Sequence, residues 1–360
     1  EYKEYKEYIE YLILIAYMME MDKHTIKKVD ICFGLAWGDE AKGKIVAHLA
    51  KNKNYNFVCR WAGGSNAGHT IYVDGNKYVT HLIPSGIFYG IPSIIGPDCV
   101  LNENKFTEEL FNLDLAGFDI SLIKVSPKCH IVQDKHIEED KLLYAKKLGT
   151  TSQGIAFCYR DKYARIGIRA ENVEFLKQYI WDEKLYGNIL CEGAQGFWLD
   201  INYGNYPYVT SSTTLPYGAC CLGFSPKLIK TIYGACKIYD TRSGVDPDFP
   251  EDLLEDPELK QIATLGEEYG ATTGRPRIVN WLNLDKLIKA INISGTNHVI
   301  ISKTDILKEL GVFKCKYEDN ITVFSSLLEM KTFINDIFNE RCNYVEAVTY
   351  SDNPYNIDFL

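Results

Sequence analysis

No Cys-x-x-Cys pair occurs anywhere in this chain, although 11 cysteines are scattered through its 360 residues. A structural zinc site or a disulfide framework needs paired or regularly spaced cysteines, whereas an odd count with the adjacent Cys220 and Cys221 suits a reducing, cytoplasmic compartment. The chain also lacks a Lys/Arg-rich stripe with interleaved aromatics, and its formal net charge of −9 repels a polyanion. A nucleic-acid backbone is therefore excluded as an expected partner, and any phosphate recognition has to be local. The apolar run Tyr11–Met19 has nine residues, too few to span a bilayer, so no membrane partner is expected. There is no repeat at a period of roughly 20–50 residues and no Gly/Ser- or Pro-rich linker.

What is present is the composition of an ordinary globular protein, with 46% apolar and 24% charged residues. Glu1–Tyr8 repeats the unit Glu-Tyr-Lys, the chain begins with Glu, and methionines cluster at positions 18, 19 and 21. A signal peptide calls for a basic start and a small-residue cleavage site, which this segment does not offer. Residues 1–20 are read as an upstream translation or added extension, a docking helix being the other reading, and residues 21–360 as a single domain.

From Val29 onward, short apolar runs alternate with helical patterns, the signature of an α/β fold with a mainly parallel central sheet flanked by helices. Expected strands are Val29–Phe33, Phe57–Arg60, Ser93–Ile95, Asn188–Glu192, Thr231–Lys237 and His298–Ser302. Helical stretches include Lys44–Lys53, Thr107–Ala116, Ile137–Lys147 and Leu284–Asn292, and Asp74-Gly75 turns a hairpin over Ile71–Val79. The polar or Gly-rich connections 148–170, 203–224, 240–251 and 264–281 are long enough to read as functional loops.

The strongest local signal is Gly38-Asp39-Glu40-Ala41-Lys42-Gly43-Lys44, a G-x4-G-K spacing directly after the first strand and before a helix. It reads as a phosphate-binding loop. Glycines let backbone N–H groups approach phosphate oxygens, the helix N-terminus adds partial positive charge, and Lys44 reaches the β- and γ-phosphates. Ile45 stands where such loops usually have a Ser or Thr that holds Mg²⁺, so Asp39 becomes the natural metal ligand. The bare residues also fit a Gly-rich turn capping a helix.

Two further clusters join this loop. Gly63-Gly64-Ser65-Asn66-Ala67-Gly68-His69-Thr70 follows the second strand and sets an imidazole on a surface that permits close approach, as acid–base work requires; a hydrogen-bonded structural histidine is the alternative. Ile301-Ser302-Lys303-Thr304-Asp305 ends an apolar strand with the Lys-x-Asp pattern by which many GTP-binding proteins read guanine, the carboxylate accepting from ring N1–H and the exocyclic amine. Thr304 or Asp305 as a helix N-cap is the other reading.

Together these residues resemble the adenylosuccinate synthetase family. Trp37–Lys44 is similar to its Trp-Gly-Asp-Glu-Gly-Lys-Gly-Lys loop and Asn66–Thr70 to its Asn-Ala-Gly-His-Thr. Thr150–Arg165, Cys191–Thr214, Tyr239–Leu253, Glu267–Trp281 and Ser302–Leu307 follow in family order. Glu192-Gly193-Ala194-Gln195-Gly196 and Gly270-Ala271-Thr272-Thr273-Gly274-Arg275-Pro276-Arg277 are the most specific blocks.

The resemblance implies a homodimeric cytoplasmic ligase of purine biosynthesis that joins L-aspartate to IMP, using GTP and Mg²⁺, through a 6-phosphoryl-IMP intermediate. It implies that Asp39 removes the N1 proton while holding Mg²⁺ with the Gly68 carbonyl, and that His69 donates to the transferring phosphoryl group. Gly38, Glu40, Ala41, Lys42, Gly43, Lys44, Lys303, Asp305 and Ser351 would bind GTP. Asn66, Thr151, Gln195 and Thr210 would bind IMP, with Arg165 reaching the IMP of the neighbouring subunit. Thr272, Thr273, Arg275 and Arg277 would hold aspartate, guanidinium forks suiting a dicarboxylate.

The chain departs from the family pattern in several places. Ala41 replaces a loop glycine, Gln153 an arginine of the Thr-Thr-x-Arg-Gly-Ile-Gly-Pro motif, and Ala156-Phe157 its Gly-Pro. Ser351-Asp352-Asn353-Pro354 stands where the family has Ser-x-Gly-Pro. Segments 166–188 and 306–350 are short, as in the compact archaeal and viral members. A phage-type 2-aminoadenylosuccinate synthetase acting on dGMP is the rival reading, against which the retained Asp39 counts. A regulatory GTP-binding protein is a more distant one, for which the only Asp-x-x-Gly, Asp114–Gly117, reads better as a helix cap.

Overall fold

The computed structural model describes residues 9, 11, 25–270, 274–353 and 357. The expected extension at 1–20, apart from Ile9 and Tyr11, and the expected substrate residues Thr272 and Thr273 thus lie outside the described residues.

The first half of the chain runs β1 (Ile26–Gly34), α1 (Lys42–Asn52), β2 (Phe57–Gly63), β3 (His69–Val73), β4 (Asn76–Thr80), β5 (Ser93–Leu101), α2 (Glu103–Leu115), β6 (Ile123–Val125), β7 (His130–Ile131), α3 (Asp134–Leu143), α4 (Ala145–Leu148) and α5 (Ile155–Tyr163). The second half runs β8 (Gly187–Glu192), β9 (Ile229–Lys237), β10 (Tyr239–Arg242), α6 (Pro257–Leu265), β11 (Ile278–Asn283), α7 (Leu284–Ser294), β12 (His298–Ser302), α8 (Thr304–Leu310), β13 (Phe313–Tyr317), β14 (Asn320–Phe324), α9 (Leu327–Arg341) and β15 (Ala347–Tyr350).

Eight strands lie side by side in the order β15-β12-β9-β1-β8-β2-β5-β6, with β7 pairing β5, and the pairings in this sheet are all parallel. Central strands of such a sheet are covered on both faces, which is why β1 from Val29 and β2 throughout are buried and read as continuous apolar runs. Every expected strand and the four expected helical stretches are present. The helix expected over Ile137–Lys147 is divided into α3 and α4 at Tyr144. Asp74 and Gly75 both take positive φ, 49° and 82°, the requirement of a two-residue hairpin turn between β3 and β4. Gly117 closes α2 at φ 86°, with the Phe118 N–H bonded to the Leu113 carbonyl, so Asp114–Gly117 is a cap and no switch.

The structure corrects the loop reading at 148–170, which contains α5. Its sequence is rich in aromatic residues and β-branched Ile155, and it starts from Gly154 in the left-handed region without a side-chain cap. Burial of Ile155, Phe157, Cys158 and Tyr159 overrides that weak local preference. Connection 264–281 likewise ends in β11. A second sheet, β10-β11-β13-β14, has no counterpart in the sequence reading. Its β13–β14 hairpin turns at Glu318 and Asp319, both at positive φ, so the Asn-Gly or Asp-Gly signal is missing. One apolar core joins the two sheets, running from Ile31, Phe33 and Cys191 to Trp281, Cys315 and Phe338.

Candidate active site

Parallel sheets bind ligands beyond the carboxyl ends of their strands. The expected site residues gather at that edge: Asp39 follows β1, His69 follows the end of β2, Gln195 follows β8, Lys303 and Asp305 follow β12, and Ser351 follows β15.

The loop after β1 is built on an internal ion pair. Glu40 Oε1 accepts from the N–H of Gly38 (2.8 Å) and Ala36 (3.2 Å), while Oε2 meets Lys42 Nζ at 2.5 Å. Both side chains are buried. The carboxylate fills a slot where a Cβ on Gly34 or Gly196 would lie 2.4 or 2.5 Å from it. Glu40 and Lys42 therefore shape the loop with their side chains. Asp39 (φ 61°) and Ala41 (φ 63°) are both left-handed, and Ala41 is the residue from which α1 starts.

A Cβ on Gly43 would come within 2.8 Å of His69 Cβ, so the glycine lets the imidazole-bearing strand rest on the first turn of α1. His69 is 6% exposed, and its Nδ1 is hydrogen-bonded to Glu192 Oε1. Glu192 is fully buried at the end of β8, its Oε1 accepting also from Ser85 Oγ (3.0 Å) and its Oε2 from Ser85 N–H (2.7 Å). Burial drives the His69 pKa down against the pull of this carboxylate. Burial would raise Glu192, yet His69, Arg60 and the Ser85 N–H outweigh it and hold it below the usual carboxylate range. The carboxylate orients the imidazole and leaves Nε2 for another group.

Asp39 Oδ2 lies 3.0 Å from Arg277 Nε, an ion-pair distance without hydrogen-bond alignment, and 3.4 Å from Ser243 Oγ. Arg277 Nη1 reaches Glu268 at 2.6 Å, which also accepts from Lys237 Nζ (2.8 Å) and Tyr239 O–H (2.7 Å). Burial works to raise the Glu268 pKa, but Lys237 and Arg277 hold it down at about 2.

Lys44 turns away from its loop and donates to Ser351 Oγ at 2.7 Å and to the Asn353 carbonyl. Burial pushes its pKa down to about 8, with Asp305 and Asp352 opposing and Lys303 assisting. Phosphate loop, Lys303–Asp305 and Ser351 are thus one neighbourhood. Lys303, left-handed at φ 65°, holds the N-cap position of α8 without a side-chain cap bond, which removes the capping reading for Thr304 and Asp305. The Thr304 hydroxyl donates instead to the Ser351 carbonyl.

Gln195 and Thr210 are joined through Ser212, whose Oγ donates to Gln195 Oε1 at 3.0 Å and lies 3.1 Å from Thr210 Oγ1. The Gln195 backbone also packs on Gly38. Asn66 Oδ1 accepts from the Gly64 N–H, and the neighbouring Ser65 Oγ donates to Gln153 Oε1 at 3.2 Å, tying Asn66 to the Thr151 segment. Arg275 is exposed and donates to the carbonyls of Gly149 and Thr150 beside Thr151. Arg165 stands apart: it is exposed beyond the end of α5, at φ 63°. Gly68, next to His69, is half-buried.

The sequence reading assigned no part to Glu192, Glu268, Ser243 or Arg60. Glu192 alone carried a signal, an acid closing an apolar strand just before a glycine-bounded segment.

The chain is similar to known proteins over most of its length. The family model described as adenylosuccinate synthetase matches residues 31–186 and 171–322. Similar proteins include the adenylosuccinate synthetases of Phocaeicola vulgatus, 37% identical with 80% of each chain covered, and of Thermodesulfovibrio yellowstonii, 38% identical with 83% of this chain and 82% of that one covered. Among solved structures, fully ligated adenylosuccinate synthetase from Plasmodium falciparum superposes with a TM-score of 0.77 at 26% identity, covering 91% of this chain and 98% of its own. The succinoaminodeoxyadenylate synthetase of cyanophage S-2L, bound to dGMP and dATP, shares the fold at a TM-score of 0.70 and 20% identity, covering 92% and 94%. With more than half of its length matched and relatives above 30% identity, the chain belongs to the adenylosuccinate synthetase family of C–N bond-forming ligases.

Proposed function

We propose that this chain joins L-aspartate to IMP at the expense of GTP. The observation that carries the reading is Asp39: a carboxylate in the phosphate loop, at the carboxyl edge of the sheet, in reach of Arg277. In this reading Asp39 takes the N1 proton of IMP, and the 6-oxygen attacks the γ-phosphorus, giving GDP and 6-phosphoryl-IMP. The amine of aspartate then adds at C6 and phosphate leaves. Phosphoryl transfer needs positioning and charge neutralisation above all, which Lys44 and His69 supply. Asn66, Thr151, Gln195 and Thr210 hold the IMP, Arg165 serves the site of a second subunit, and Arg275 and Arg277 take the substrate carboxylates with Thr272 and Thr273. Gly38, Glu40, Ala41, Lys42 and Gly43 line the phosphates with backbone groups, and Lys303, Asp305 and Ser351 hold guanine.

Mg²⁺ fits the residues present. Among the described residues no three His, Cys, Asp or Glu side chains form a metal cluster, so Asp39 and the Gly68 carbonyl would share the ion with phosphate oxygens, the usual habit of this cation. When bound, it would neutralise charge on the transferring phosphoryl group.

The apolar core common to both sheets supports reading residues 21–360 as one domain. The free state of all 11 cysteines supports a cytoplasmic location, and no described helix is long and apolar enough to cross a membrane. Action on dGMP is the second reading, favoured by the uncharged Gln153 bonded to Ser65 and the shared fold of the phage enzyme. An assay crossing IMP, dGMP and GMP with GTP and ATP, each with and without aspartate, tests both. Phosphate release requiring IMP, GTP and aspartate together is expected; release that needs only dGMP and aspartate with either triphosphate would overturn the IMP reading, and release from GTP alone would point to a GTPase.

A further inference from the structure

Arg60 on β2 is 1% exposed, in a stretch where every neighbour is buried. Its Nη1 donates to the His81 carbonyl, while among the described residues Nε and Nη2 are buried and find no acceptor. Burying a guanidinium with two nitrogens unspent costs stability, and an apolar side chain would serve a purely structural purpose better.

The sheet register shows what stands beside it. Arg60 and Glu192 are direct partners across β2 and β8, and register partners in a parallel pair present their side chains to the same face. Glu192 is the fully buried carboxylate bonded to His69 Nδ1. The same arginine braces the loop bearing that histidine from behind. His81, whose carbonyl it holds, contacts the Ala67 carbonyl through Nδ1 at 2.6 Å, and the His81 N–H is bonded to buried Glu109.

We propose that Arg60 is a positioning residue for phosphoryl transfer: its buried guanidinium, beside Glu192 on the adjoining strand, supplies the counter-charge that keeps this carboxylate an acceptor for His69 Nδ1. The imidazole is thereby oriented by its Nδ1–H bond to Glu192, and donation from Nε2 to the phosphoryl group calls for the doubly protonated ring, which the ionised carboxylate favours. Arg60 touches no reacting atom. With His69 first and the Ser85 N–H after it, the Arg60 charge also helps to hold this fully buried acid below the usual carboxylate range.

The inference rests on the reading of His69 given above, so the test separates the two. Arg60→Gln keeps a donor for the His81 carbonyl and removes the charge; Arg60→Lys keeps the charge. Arg60→Gln is expected to lower kcat by about 10–100-fold, the range for partners that orient an active group, with KM for GTP and IMP little changed, and Arg60→Lys to recover most of that loss. In combination with Glu192→Gln, Arg60→Gln should add little further loss. Equal losses in the Gln and Lys variants, or losses that multiply with Glu192→Gln, would overturn the proposal. Imidazole ¹⁵N shifts of His69 in the unaltered protein give a check independent of how the variants fold. Protonated Nδ1 is expected, and an unprotonated Nδ1 overturns the role assigned to Arg60. If His69→Asn turns over near the normal rate, the assignment of His69 itself fails. If His69→Asn is inactive and Arg60→Gln is not impaired, only the present inference fails.

Discussion

Arg277 Nε stands 3.0 Å from Asp39 Oδ2, so the loop carboxylate has a cation beside it. The same guanidinium is bonded to Glu268, which is anchored in turn by Lys237 and Tyr239. Arg277 thus joins the buried Glu268 network to the carboxylate of the loop after β1, and under the proposed function a substrate carboxylate would compete with Asp39 for it. Under that reading the shared cation would link arrival of aspartate to release of the loop carboxylate.

Replacing Arg277 with Gln is expected to raise KM for aspartate by roughly 10–100-fold, the loss of a charge-assisted hydrogen bond, with a smaller effect on GTP affinity. Asp39→Asn should abolish turnover while GTP still binds. Steady-state kinetics and calorimetry with GTP check both. A fully active Asp39→Asn enzyme would remove the base from the mechanism.

Lys44 offers a pH test. Burial lowers its pKa to about 8, and a bound triphosphate would favour the ammonium form. Above about pH 8, GTP binding should therefore take up a proton and weaken as the pH rises. Calorimetry in buffers of different ionisation heat reads the uptake, and Lys44→Met should abolish it. Binding with no proton uptake at pH 9 would contradict this account.

Ala41 sits at φ 63° where the family has glycine. A methyl group in the left-handed region costs on the order of 1 kcal/mol, so Ala41→Gly is expected to stabilise the fold by ~0.5–1 kcal/mol in urea unfolding. An unchanged or lowered midpoint would show that the loop tolerates the methyl without strain.

Asp240 is buried and accepts from the Asn283 N–H at 2.8 Å; burial pushes its pKa up to about 7. The folded form retains this proton while the unfolded chain, at about 3.9, has lost it. Its contribution is fully present below the unfolded value and disappears as the pH climbs through about 7, so stability should decline from about pH 4 to 7. Asp240→Asn, which does not titrate, should flatten that decline in unfolding midpoints taken across the range. An equal slope in the variant would assign it to other groups.

Much of the fold was readable without coordinates because its signals are local. Buried parallel strands must be apolar throughout, and a hairpin turn needs residues such as Asp74-Gly75 that accept positive φ. The phosphate loop was legible for the same reason: spacing, glycines and lysine all lie within Gly38–Lys44. The second sheet escaped because its hairpin turns on Glu318-Asp319, and α5 because burial, and not helix preference, holds it.

Sequence alone determined the family, the six central strands from β1 to β12 that it places in chain order, and which residue types stand at their ends. Tertiary structure decided what those residues do to one another: Glu40 spent on Lys42, Lys44 drawn to Ser351, Arg277 divided between Asp39 and Glu268, and Arg60 placed beside Glu192. Most of these pairings, Lys44 with Ser351, Arg277 with Asp39 and Arg60 with Glu192, join residues far apart in the chain. Their energies depend on burial and on distances of a few ångströms, and only the folded arrangement of strands and loops sets those quantities.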